Sequence, residues 1–434
     1  VTALTAASAR RRLLLLTATR WLPVGLVFGL TTLLPLERGL GLAEVSAVLA
    51  AQGFVVLALE LPTGGLADAV GRRPLLVVAA LVGVLSGTLF LLATDLAAFV
   101  VAMALQGVFR ALDSGPLEAW YVDTAQADDP AVAVERTLGH AGGVLGVAVA
   151  GGALVSGGLV AWHPLPGTSA LVLPYLVSTV LLGVHALLVL LLVREPAPTA
   201  RATGRWSALA AVRSTPRTVR EGLVVVGRNP VLRGLVLVEV FWSVAMIAFE
   251  TLNPVRLAEL VGGEERAGAL YGPASAAAWA LYAAGSALAA TAATRIGVAR
   301  TAVLARLLNG GFVVLLGLAA GPVGLVSAYW LAYLTHGAAN PVHSTLLHRQ
   351  AERSHRVTVL SVNSMVASGV YSLALLALGP LAETTSTATA IVVAGAFSLL
   401  GALAYRPALR EERGQRPGSP APSVSPASSS APTR

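Results

Sequence analysis

The chain has 434 residues, 56% of them hydrophobic and 12% charged, and it contains no cysteine. Mean hydropathy is +0.75, and apolar runs of roughly 20 residues, enough to cross a hydrocarbon core of about 30 Å, recur along most of the length. This pattern reads as a polytopic helical membrane protein. It excludes disulfides and cysteine-based metal or redox sites, and the runs are too long and too unbroken for a membrane barrel. The net charge of +8 rests on 30 arginines and no lysine. A basic balance can signal nucleic acid, but these arginines sit in short stretches between apolar runs, so no nucleic-acid partner is expected.

The chain opens VTALTAASARRRLLLLTATR. Basic residues before an apolar run resemble a signal peptide, but no convincing small-residue cleavage site follows, so the segment reads as a retained cytoplasmic lead-in. Window hydropathy then predicts twelve spans. The first six lie near 20–36, 45–66, 74–94, 97–122, 138–161 and 171–193. The second six lie near 231–253, 267–293, 299–320, 323–346, 357–380 and 385–404. With the N-terminus in the cytoplasm, 26 arginines fall on the cytoplasmic side and 3 (Arg38, Arg256, Arg266) on the other, with Arg110 inside a span. That bias predicts a multi-pass inner (cell) membrane protein with both termini cytoplasmic.

The expected organisation is an N-terminal six-helix bundle (1–193), a cytoplasmic linker (194–230), a C-terminal six-helix bundle (231–405) and a disordered cytoplasmic tail (406–434). The arginine–apolar mixture RWSALAAVRSTPRTVREGLVVVGRN in the linker reads as a surface helix. The tail is too poor in apolar bulk to pack. A faint internal echo supports two repeats. DAVGRRPLLV follows span 2 and TRIGVARTAV follows span 8, with Gly297 standing where Gly71 stood.

The connection after span 2 reads GGLADAVGRR, Gly64 to Arg73. Gly64 permits close approach of a neighbouring helix, and Gly71 can take a positive φ in a very short turn. Asp68 can pair with an arginine or cap backbone N–H groups. Arg72 and Arg73 hold the loop on the cytoplasmic side. At these residues the sequence resembles the major facilitator superfamily, whose signature between spans 2 and 3 is G-x-L-A-D-[RK]-x-G-R-[RK]. Gly64, Leu66, Ala67, Asp68, Gly71, Arg72 and Arg73 match, and Ala69 departs. Glu60-Leu61-Pro62-Thr63 resembles the E-x-P-T-G lead-in of its proton-coupled drug-efflux members. The resemblance implies an all-α fold of twelve transmembrane helices in two pseudo-symmetric six-helix bundles. It also implies a conformational latch in which Asp68 faces the start of span 11 in one state.

Polar residues fall in helical stripes on spans 1, 4, 7 and 10, the spans that line the central cavity in the resembled family. Span 1 presents Trp21, Gly25, Phe28, Thr32 and Pro35; span 4 presents Gln106, Arg110, Asp113, Leu117 and Trp120. Span 7 presents Glu239, Ser243, Met246, Glu250 and Asn253; span 10 presents Tyr329, Tyr333, His336, Asn340 and His343. Each follows one helix face. The predicted substrate cavity is formed by Phe28, Thr32, Gln106, Trp120, Ser243, Met246, Tyr333, His336 and Asn340. Arg110, Asp113, Glu118 and Glu239 are the proton-coupling candidates, because intramembrane charge is costly and tends to be functional. Arg110 and Asp113 are close enough along the helix to pair, and their opening would let Asp113 take a proton. Glu250 and Asn253 are expected near the outer surface. In span 5, Gly142-x-x-x-Gly146 is expected to pack closely on a neighbour, while the proline of the family's G-P-x-x-G-G element is not matched.

No phosphate-binding loop and no His/Cys/Asp cluster with metal spacing occurs, so neither an enzyme nor a cofactor is expected. The expected function is secondary active transport by alternating access, as proton-coupled efflux of a small organic or drug-like compound by a monomer. A proton-linked uptake symporter or metabolite facilitator is the alternative, and a non-transport membrane sensor the minor one.

Overall fold

A computed structural model of the chain describes residues 4–194, 217, 219–351 and 356–414. Six long helices precede the linker: α1 (Ala6–Glu37), α2 (Leu42–Val70), α3 (Arg72–Leu92), α4 (Leu96–Asp128), α5 (Val134–Trp162) and α6 (Val172–Leu192). Six follow it: α7 (Pro230–Val261), α8 (Glu264–Ile296), α9 (Val298–Leu318), α10 (Pro322–Gln350), α11 (Arg356–Thr384) and α12 (Thr387–Gly414). Residues 219–228 of the linker are also helical. The rest of the predicted linker helix lies outside the described residues.

Among the described residues, eleven helices are long and apolar enough to cross a membrane. The twelfth, α10, is as long as its neighbours but carries Tyr329, Tyr333, Thr335, His336, Asn340 and His343. It can be polar because it is enclosed between α8 and α9, where the side chains find partners. Asn309 of α9 donates to the Ala332 carbonyl at 2.8 Å, and Asn340 donates to the Tyr282 hydroxyl at 2.8 Å. The outer surface is apolar, with Leu81, Leu92, Leu187, Leu315 and Leu373 exposed, as lipid contact requires.

Irregular backbone appears where the sequence forces it. Gly29 (φ 82) breaks α1 after Val27, and Gly115 (φ 92) breaks α4 just before Pro116. In α7, Pro254 has no N–H to offer the Glu250 carbonyl one turn earlier, and residues Ala248–Leu252 widen into a π-turn. The two junction glycines have nearly the same conformation. Gly71 between α2 and α3 has φ 95 and ψ 153; Gly297 between α8 and α9 has φ 97 and ψ 157. The weak sequence echo is therefore a true structural repeat.

The halves α1–α6 and α7–α12 meet along two seams, α2 on α11 and α5 on α8. Both seams are tightest away from the linker. A Cβ on Gly157 would stand 2.7 Å from the Ala269 carbonyl, and one on Gly53 would stand 2.0 Å from Ser372 Oγ. On the same side, Glu383 accepts from the Ala43 N–H and Glu265 from the Ala170 N–H, each at 2.8 Å and each across the halves. Toward the linker the glycines of α5 make no such close approach among the described residues. Gly139, Gly142, Gly143 and Gly146 of α5 have nothing within 4 Å of an added Cβ. The expected close packing at Gly142 and Gly146 is thus absent. Gly152 and Gly157 provide it instead, the former against the Leu22 carbonyl of α1.

Two further expectations change. The first helix starts at Ala6 rather than near residue 20, because Ala9, Leu13 and Leu16 are fully buried against Trp120 and Tyr121. The tail does not become structureless at residue 406. Residues Arg406–Gly414 are helical, Ala408 is buried, and Glu412 accepts from the Val298 and Ala299 N–H groups at 2.7 and 3.0 Å. That carboxylate satisfies the free donors at the N-terminus of α9. Residues 415–434 lie outside the described residues.

Candidate functional site

A cavity of about 530 Å³ lies between the halves, walled by α1 to α8 and α11. Phe28, Thr32, Gln106, Arg110, Ser243 and Met246 line it, as the stripes on spans 1, 4 and 7 predict. The breaks in α1 and α7 bring backbone irregularity to this wall, with Phe28 beside one and Glu250 inside the other. Glu250 lines the cavity rather than standing near the outer surface. The α7 helix continues to Val261, which leaves Glu250 well inside the span, and Asn253 is buried.

The α10 stripe behaves differently. Tyr333 and His336 do not line the cavity; they form an aromatic column behind the wall. His336 lies 4.5 Å from the Trp242 ring and 5.5 Å from that of Phe249, and Tyr333 lies 4.8 Å from Tyr329. Asn340 is bonded to Tyr282 rather than facing the cavity. Trp120 is also misplaced by the stripe. The break at Gly115 rotates the second half of α4, and Trp120 is buried with its indole N–H on the Arg194 carbonyl at 3.0 Å. The wall positions of α10 are taken by α11, through Ser368 and Tyr371, and by Trp279 of α8.

The expected Arg110–Asp113 pair is not formed. Asp113 is held by Arg20 of α1, Nε to Oδ2 at 2.5 Å. The Arg20 guanidinium also lies 4.1 Å from the Phe109 ring centre and is 5% exposed. It belongs to the bundle interior, not to the cytoplasmic lead-in. The signal was available: once α1 starts at Ala6, Arg20 is four turns into an apolar helix. Arg110 projects into the cavity and keeps solvent exposure, with no ion pair among the described residues. Glu118 is exposed in the first turn after Gly115.

Glu239 is buried, as its depth in span 7 predicts, and pairs with His343 of α10 at 3.0 Å. His343 Nδ1 shares a hydrogen bond of 2.8 Å with the Tyr405 hydroxyl of α12. Beside them Arg306 of α9, 5% exposed, lies 3.7 Å from the Trp242 ring centre. Each half thus holds a buried polar pair between its first and fourth helices. The carboxylate is on the fourth helix in α1–α4 (Arg20–Asp113) and on the first helix in α7–α10 (Glu239–His343).

Around the signature loop, Arg72 bonds to the Ala119 carbonyl at 2.8 Å and to the Asp123 carboxylate of α4. Arg73 donates to the Leu190 carbonyl at the end of α6 at 2.9 Å. Both arginines therefore tie α3 to its own half. The backbone at Gly64 and Asp68 is helical, but their side chains, and so the latch contact, lie outside the described residues.

The description "Major Facilitator Superfamily" belongs to a family model that matches residues 13–333. Comparison with curated proteins finds no match. Several solved structures share the fold. The nucleoside transporter NupG aligns with a TM-score of 0.73 at 12% identity, over 92% of this chain and 98% of that one. The human organic anion transporter MFSD10 (TETRAN) aligns at 0.61 and 17%, over 92% and 99%. A POT family transporter in complex with 5-aminolevulinic acid aligns at 0.66 and 11%, over 92% and 94%. The family match over most of the chain, the two six-helix halves and the cavity between them agree: the chain is a multi-pass membrane transporter of the secondary kind, not an enzyme, and belongs to the Major Facilitator Superfamily.

Proposed function

We propose that the protein exports a small organic or drug-like compound in exchange for protons, as a monomer in the inner (cell) membrane, with the linker and both termini in the cytoplasm. The observation that carries this reading is a charged, aromatic-lined cavity between halves that are sealed at one face and parted at the linker face. Closing the parted end and opening the sealed one would carry a bound solute across. The arginine bias supports reading the linker face as cytoplasmic, and on that reading the parted end of the cavity is the inner one.

Proton coupling falls to the buried carboxylates. Asp113 leans on Arg20 and Glu239 on His343, each partner from another helix. If the helices of a half shift during the cycle, such a pair opens, its carboxylate loses the stabilising charge, and it takes a proton. Arg110 tunes the cavity's field, and Glu118, exposed past the α4 break, offers a path to bulk water. Gly64, Asp68, Gly71, Arg72 and Arg73 form the switch, with Asp68 meeting the start of α11 when the linker face closes.

The test is proton flux in inverted membrane vesicles given a panel of organic compounds. Compound-induced alkalinisation of an acidified lumen is expected for the wild type, and Asp113→Asn should lose it while remaining folded in the membrane. No proton movement with any compound, alongside uptake in right-side-out vesicles, would replace this reading by a symporter or facilitator. Normal proton coupling in Asp113→Asn would remove Asp113 from the mechanism.

A further inference from the structure

The charges facing the cavity are few and of a definite kind. Arg20 is neutralised by Asp113. Two others remain, Arg110 on α4 and Glu250 on α7, one from each half. They lie within electrostatic reach of one another, yet neither has an ion pair or hydrogen bond to a protein group among the described residues. Glu60 also feels Arg110, but its own hydrogen bond goes to Ser364 on α11. Arg110 and Glu250 therefore keep free hydrogen-bonding atoms toward the cavity, donors on the first and acceptors on the second, that a solute of matching charge can meet. The cavity wall also carries aromatic side chains, Trp21 and Phe28 from the first half and Trp279 and Tyr371 from the second.

Resting on the transport reading above, we propose that the solute is a zwitterion with an aromatic or bulky apolar body, its carboxylate on Arg110 and its protonated amine on Glu250. A guanidinium presents paired donors that match a carboxylate. A lone carboxylate opposite it accepts from an ammonium. The aromatic faces take the body of the solute and add cation–π attraction for its amine. A cavity of about 530 Å³ holds a solute the size of an aromatic amino acid, a dipeptide or a small drug. Because the two charges sit on opposite halves, a zwitterion bridges α4 and α7 and couples its own binding to their relative position. When the halves close around the solute, one with a single charge leaves one of the two groups without a partner, which is how such a site rejects it.

The experiment is calorimetric titration of the purified full-length protein in lipid nanodiscs with two matched series. The first is L-phenylalanine, its amide, its N-acetyl form and its N-acetyl amide; the second is the same set built on L-phenylalanyl-L-phenylalanine. In at least one series the zwitterion is expected to bind about ten-fold or more tighter than the cation, the anion and the neutral compound, the scale of a lost charged hydrogen bond. Glu250→Gln should erase the preference over the anion, and Arg110→Gln the preference over the cation. If either variant fails to fold, the ranking within the wild-type series still decides. A cation, anion or neutral member binding as tightly as the zwitterion in both series, or no binding by either zwitterion, overturns the proposal. Counterflow in proteoliposomes separates it from the transport reading. A zwitterion that binds but is never moved removes the transport reading alone. A monocation that is moved with no zwitterion preference removes this proposal alone.

Discussion

Arg20 shows how much one side chain's setting decides. In the sequence it is the last of four arginines ahead of an apolar run, and it reads as a topological marker. In the structure it is buried, bonded to Asp113 and stacked on Phe109. Removing one partner of a buried pair leaves the other charge stranded, at a cost of about 3–5 kcal/mol. Arg20→Leu or Asp113→Asn alone should therefore lower the thermal midpoint of the detergent-purified protein. The double variant Arg20→Leu/Asp113→Leu should recover much of the loss, since neither charge is then left without a partner. Equal losses in single and double variants would mean that the pair does not act as a unit. The stripe on span 4 put Arg110 and Asp113 on one helix face. It could not assign their partners, because pairing depends on which helix stands beside each, and that is a long-range fact.

At the scale of elements, the best evidence for duplication is a backbone angle. Gly71 and Gly297 occupy the same position in each half, both with positive φ, in one-residue connections. A Cβ in this region costs about 1–2 kcal/mol from backbone sterics. At Gly297 it would also collide with the Glu412 carboxylate that caps α9. Gly297→Ala should therefore lower the melting temperature by more than that backbone cost alone; a smaller loss would show that the cap is not rigid. Helix existence was legible for all twelve elements because their apolar runs are long. Their ends and breaks were less so. The start of α1 depends on a groove against Trp120 and Tyr121, and the rotation of α4 after Gly115 on the local turn, neither of which enters a hydropathy window. The polar α10 shows the same limit from the other side, since Tyr329, Asn340 and His343 bond to α7, α8 and α12 and not to a solute in the cavity.

At the scale of the molecule, the close approaches between the halves lie away from the linker, and the absence of cysteine in the chain makes the difference between the two faces directly measurable. Ser46 is fully buried in the α2–α11 seam, close against Gly379, whereas Gly142 on α5 faces open space. In the otherwise cysteine-free protein, Gly142→Cys should react quickly with a water-soluble maleimide and Ser46→Cys slowly. A transported solute that drives the cycle should narrow that difference. Comparable rates in the absence of solute would show that the resting protein is not parted at the linker face. The sequence alone determined the number of spans, the division into halves, the arginine asymmetry and the signature loop. Each of these is local: an apolar run, a charge next to a run, or a glycine at a turn acts through neighbours a few residues away. It also placed one face of α1, α4 and α7 on the cavity, since a helical stripe is set by spacing alone. Only the tertiary structure decided that Arg20 neutralises Asp113, that α11 and not α10 completes the wall, and that Arg110 and Glu250 face the cavity without partners among the described residues. Those facts depend on how helices hundreds of residues apart in the chain are rotated against one another, and packing across the whole molecule sets that rotation.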